Sequence, residues 1–101
     1  MNKRVIEWLR ANNIILDNMG IQTENIRESP KDSIDQGVTV EHASEKCLGQ
    51  ISIWESGLMD IEVVEIESES RVLYEHYELD QNADFTDILK QYFEIMKNGK
   101  V

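Results

Sequence analysis

The most distinctive chemistry in this chain is concentrated in one short stretch, Trp54-Glu55-Ser56-Gly57-Leu58-Met59-Asp60-Ile61-Glu62. The spacing predicts a strand ending in tryptophan, a glycine turn, and a second strand that opens with two alternating carboxylates. Gly57 can take the positive φ that tight hairpins need. The period of two places Asp60 and Glu62 on one face. An aromatic ring beside paired carboxylates suits the binding of basic side chains. In the alternative arrangement Trp54 packs in the core while the two acids solvate the outer face. Two carboxylates could also hydrolyse a glycosidic bond if they flanked a sugar cleft about 5–10 Å apart, but a small meander offers no cleft.

Other reactive residue types are sparse. His76 sits in Tyr74-Glu75-His76-Tyr77-Glu78, with Glu78 on its own face. Together with His42 these residues show none of the spacing of a metal site, which needs three or four convergent ligands. A histidine paired with carboxylates, giving a weak pH response, is the simpler expectation. Cys47 has no second cysteine to pair with and reads as a small hydrophobe at a strand edge. There is no CxxC, no GxSxG and no phosphate-cradling glycine loop. No catalytic residue, metal or cofactor is expected. The candidate partner-binding residues are Trp54, Asp60, Glu62, Glu75 and Glu78.

The elements that must position these side chains can be read from periodicity. Val5, Trp8, Leu9, Asn12, Ile15, Leu16 and Met19 follow helical spacing, and Gly20 suits the helix end. Residues 21–36 hold isolated Ile21 and Ile26 and the turn signal Ser29-Pro30-Lys31-Asp32-Ser33, so a surface connection is expected, with room for a short strand at 21–27. Residues 37–43, 48–54, 58–67 and 72–79 alternate as strands, the third of them apolar on both faces as a central strand would be. Their short separators join antiparallel neighbours. Phe85, Ile88, Leu89, Tyr92, Phe93 and Met96 form one face of a last helix, with Asp84 as N-cap and Gly99 as the stop. The expected fold is α+β: an antiparallel meander of about four strands, flanked by an N-terminal and a C-terminal amphipathic helix, in a single domain over residues 1–101. The helices cover one face of the sheet, and the other should be polar and acidic.

The chain has 101 residues and a net charge of −10. The charge is uneven: residues 48–89 carry eleven acidic side chains and only Arg71 as a base. Such a field repels nucleic acid and anionic membranes and attracts a basic partner, although acidity also serves solubility alone. The carboxylates at 60, 62, 65, 67, 69, 75 and 78 could imitate a phosphate array, or simply solvate a sheet face. No apolar stretch approaches the length of a membrane span. The lone cysteine fits a reducing compartment or a buried thiol, and a soluble, cytoplasmic protein is expected.

The stretch Leu48-Gly-Gln-Ile-Ser-Ile-Trp-Glu-Ser-Gly-Leu-Met-Asp-Ile-Glu-Val-Val, followed by Tyr74-Glu-His-Tyr-Glu-Leu and a terminal amphipathic helix, resembles the TriTu-type immunity proteins of bacterial polymorphic toxin systems. The resemblance spans roughly residues 38–97 and centres on Gly49, Trp54, Ser56-Gly57, Asp60 and Glu62. It implies a non-catalytic protein that neutralises a cognate toxin by direct binding. Many such toxins are nucleases with basic clefts, which an acidic face would steer and fill. The competing expectation is a small regulatory or scaffold subunit that docks its acidic face in a larger assembly. Monomer and dimer are both open, the latter through an uncovered sheet face.

Overall fold

The computed structural model describes residues 2–100. Five strands form one antiparallel sheet: β1 (Gln22–Glu28), β2 (Gly37–Ala43), β3 (Cys47–Trp54), β4 (Leu58–Glu65) and β5 (Arg71–Glu78). Their spatial order is their chain order, so every strand pairs with its sequence neighbour. Four helical segments surround the meander: α1 (Asn2–Ala11) and α2 (Asn13–Asn18) before it, α3 (Phe85–Ile88) and α4 (Lys90–Asn98) after it.

The alternation in the strands creates the two layers. Val38 and Val40 of β2, Ile51 and Ile53 of β3, Met59, Ile61 and Val63 of β4, and Leu73 of β5 are buried on one face. Against them α4 lays Tyr92, Phe93, Ile95 and Met96, α3 adds Phe85, and Val5 and Leu9 of α1 complete the core. The terminal helices also hold each other. Arg4 donates to the carbonyls of Gln81 (3.1 Å) and Ala83 (2.9 Å), the Trp8 indole donates to Thr86 Oγ1 (3.1 Å), and Trp8 stacks on Phe93 with ring centroids 5.8 Å apart.

Gly49 sets how closely α4 approaches β3. A methyl group added there would overlap the Tyr92 hydroxyl and stand 2.6 Å from Met96 Sδ. An alanine in a strand interior normally gains stability over glycine, so the sign of this substitution is diagnostic. Gly49→Ala is expected to lower stability by about 1–3 kcal/mol through overpacking, read as a lower urea midpoint. A stabilised variant would mean that α4 does not seat on this residue.

The α+β meander between terminal helices forms as expected, while two details of the other elements differ. The sheet has five strands rather than about four: the short strand allowed at 21–27 forms at residues 22–28, which pair with β2 along its length. All seven of their side chains are exposed, so this strand carries no hydrophobic alternation to read. The first helix breaks at Asn12, whose backbone leaves the helical region at φ −105° and ψ 9°, while its side-chain amide (2.8 Å) and its backbone amide (3.1 Å) both donate to the Trp8 carbonyl. Beyond that break only Leu16 stays buried, while Ile14 and Ile15 are 75% and 57% exposed. Finally, β4 lies inside the sheet, paired with β3 and β5, but it is not covered on both faces: Val64 lies on the open face, and Ile66 lies beyond the strand end. The last helix forms with a kink at Leu89, and Asp84 caps it as expected, accepting from the Thr86 amide at 3.0 Å.

Candidate partner-binding face

No helix packs on the second face of the sheet, and the register arranges its side chains in rows. One row runs Arg27, Thr39, Ser52, Asp60, His76 from β1 to β5. The next runs Asn25, Glu41, Gln50, Glu62, Tyr74. Asp60 and Glu62 therefore share this face, as their spacing requires. Trp54 shares it too, two residues along β3 from Ser52. Its half-buried indole covers Gly37, where an added methyl would stand 2.8 Å from the ring. The ring is thus neither a core residue nor a fully exposed one. Beside it a hollow of about 300 Å³ is bordered by Arg27, Glu28 and Thr39. Glu78 lies opposite Leu58 on the same face. Glu75 does not join them: it pairs with Ile61 and so points to the helix side of β5. There, after burial, it is the second cause that raises the Tyr77 phenol above its ordinary pKa.

Three of these carboxylates are held by bases of the same chain. Arg27 contacts Glu41 at 2.6 Å, Arg71 contacts Glu62 at 3.3 Å, and His76 Nδ1 meets Asp60 Oδ1 at 2.5 Å. Arg71 also lies over the Tyr74 ring, 4.8 Å from its centroid. Exposed pairs of this kind add little stability, but they fix the carboxylates in place. The hairpin that carries Trp54 is anchored from outside. Asp35 accepts from the Ser56 amide (3.0 Å) and hydroxyl (2.6 Å), which clasps the loop after β1 onto the β3–β4 turn. Gly57 completes that turn at φ +101°, where L side chains are strained.

The remaining reactive groups are separated from one another. Ser52, Asp60 and His76 follow in register, but Asp60 stands in the middle. Ser52 and His76 are two strand spacings apart, about 10 Å, which is not the order of a nucleophile, base and acid. His42 faces the helices, 1% exposed, with Nδ1 2.9 Å from the Tyr92 hydroxyl. It is therefore on the opposite side of the sheet from His76. Burial lowers its pKa to about 4. Cys47 is buried with its thiol directed at the Ile95 carbonyl. Burial, and after it the charge of Glu65, raise its pKa, while Lys46 acts in the opposite direction; the net raised value disfavours the thiolate. Among the described residues no group of three or more His, Cys, Asp or Glu side chains is placed to hold a metal ion, and no helix is long and apolar enough to cross a membrane.

Sequence reasoning missed Glu41, Leu48, Gln50 and Val64, which lie on the same face. The strand phase of Leu48, Gln50 and Val64 was readable, since each is an even step along its strand from Trp54 or Glu62. Glu41 lies on a strand where no residue had been assigned outward, and the neighbours of all four across strands depend on register. Comparison with curated proteins gives no match. The family model described as immunity protein TriTu matches residues 3–95, nearly the whole of this sheet and its helices, and the chain belongs to that family of immunity proteins.

Proposed function

We propose that the chain carries out its toxin-neutralising immunity role by non-catalytic capture of the toxin on the open sheet face, through Trp54, Asp60, Glu62 and Glu78. The observation that carries this reading is the asymmetry of the sheet. One face is sealed by α1, α3 and α4, while the other displays a half-buried tryptophan among carboxylates that are already oriented. Pre-positioned charged groups lose less conformational freedom on binding than free ones do. The partner that fits is a basic protein surface, such as the cleft of a nuclease, drawn in by the net charge of −10. Capture would take place in the cytoplasm, where the single buried thiol stays reduced.

The test is co-expression with the product of the adjacent gene as the candidate toxin, followed by affinity purification and a growth assay. A stable complex that relieves growth arrest is the expected result. A folded protein that neither binds the toxin nor rescues growth would reject capture as the mechanism.

A further inference from the structure

A hollow of about 300 Å³ lies on the open face away from Trp54, lined among others by Glu24, Glu41, Leu48, Gln50, Glu62 and Val64. Its lining holds three carboxylates and no lysine or arginine. Leu48 is 53% exposed, and Val64 is its register partner on β4. Gln50 sits between Glu41 and Glu62 in the same row. The two carboxylates thus stem from backbones roughly 10 Å apart. Each draws its own guanidinium from the outer side, Arg27 from β1 and Arg71 from β5. The space between them is floored by Gln50, with Leu48 and Val64 beside it, and no lysine or arginine among the described residues lines it.

We propose that this hollow receives one arginine side chain of the partner, with its methylenes on Leu48 and Val64 and its guanidinium over Gln50, between Glu41 and Glu62. The proposal rests on the open face being the toxin-binding surface. The chemistry selects arginine. Its stem covers apolar surface while the head stays polar, and its planar fork of five donors can address acceptors on both sides. A lysine ammonium is a point charge that satisfies one carboxylate at a time. An aliphatic side chain would desolvate carboxylates without pairing them. A second copy of this chain, with its own net charge of −10, is repelled.

The experiment needs no toxin. The free protein is titrated with N-acetyl-arginine-N-methylamide and, in parallel, with the uncharged citrulline analogue, following backbone amides by two-dimensional NMR. The expected result is saturable shifts at Leu48, Gln50, Glu62 and Val64 with a Kd of about a millimolar, none with citrulline, and affinity weakened about tenfold in Glu62→Gln. Unchanged dispersion elsewhere in the spectrum shows that this variant is folded. Shifts that do not saturate, that centre on Glu45, Glu65 and Glu67, that appear equally with citrulline, or that survive unchanged in Glu62→Gln would overturn the proposal. Any of those results leaves the open-face reading to be decided by the toxin complex itself.

Discussion

Against its toxin, the Asp60→Lys/Glu62→Lys variant is expected to lose at least about a hundredfold in affinity, close to 3 kcal/mol. The two carboxylates are adjacent on the open face, with side chains 33% and 42% exposed. Groups in that half-covered state become desolvated at an interface, where a charge of the wrong sign costs most. Association should also slow, and the salt dependence of the on-rate should flatten, because two unit charges change sign in the encounter field. The fold should tolerate the change. Reversal removes the contacts to His76 and Arg71, but pairs this exposed contribute roughly 1 kcal/mol or less each. Calorimetry or biolayer interferometry gives the affinity, and a urea melt gives the control. If the folded variant binds as tightly as the parent, these acids lie outside the interface and the open face is not the contact surface.

The second large effect is on stability and comes from His42. Its pKa is lowered from 6.5 to about 4 by burial, whereas in the unfolded chain it titrates near 6.5. Between those values the unfolded state binds a proton that the native state refuses. Stability is therefore full above about pH 6.5 and falls as the pH drops towards about 4. The loss over that window is about 3 kcal/mol, at roughly 1.4 kcal/mol per pH unit. The geometry explains the refusal. Nδ1 is engaged with Tyr92, the rings of Tyr92 and Phe93 pack edge-on at 5.8 and 5.6 Å, and Nε2 is buried without a hydrogen-bond partner. Whichever tautomer forms, one nitrogen is unsatisfied, and a second proton would add an unpaired charge to the core. Urea denaturation at pH 7 and pH 4.5 should show the drop, and His42→Phe should remove the part of it that His42 causes. The same pH dependence in parent and variant would assign the acid sensitivity to the carboxylates alone.

The layers of the fold were legible because hydrophobic period and burial coincide in β2, β3 and α4. The first helix was legible only to Asn12, since the apolar spacing runs on through Ile15, Leu16 and Met19 although the backbone leaves the helical region at Asn12. The first strand could be placed near 21–27 but not its pairing: its side chains are all exposed, and the pairing rests on backbone hydrogen bonds that every sequence can make. Within the site, the shared face of Asp60 and Glu62 followed from spacing alone. The divergence of Glu75 from Glu78 was also readable, because an odd separation in a strand means opposite faces, and pooling the acids of β5 concealed it. Trp54 could not be resolved between core and surface, because the position of its ring depends on the bare backbone of Gly37 on another strand. The clasp of Asp35 on Ser56 joins residues 21 positions apart, and no local pattern announces it.

The strict succession of the strands has a consequence for timing. Each of the four pairings joins a strand to the one just before it, so the sheet can grow hairpin by hairpin as the chain leaves the ribosome, at about 5–20 residues per second. Contacts between such near neighbours also carry a small loop-closure cost, which favours fast folding. The steps that must wait are those tying Arg4 to Gln81 and Ala83, and Trp8 to Thr86, across 77 to 79 positions. On this topology the sheet is expected to form ahead of the contacts between the two ends, and the docking of those ends is the expected slow step.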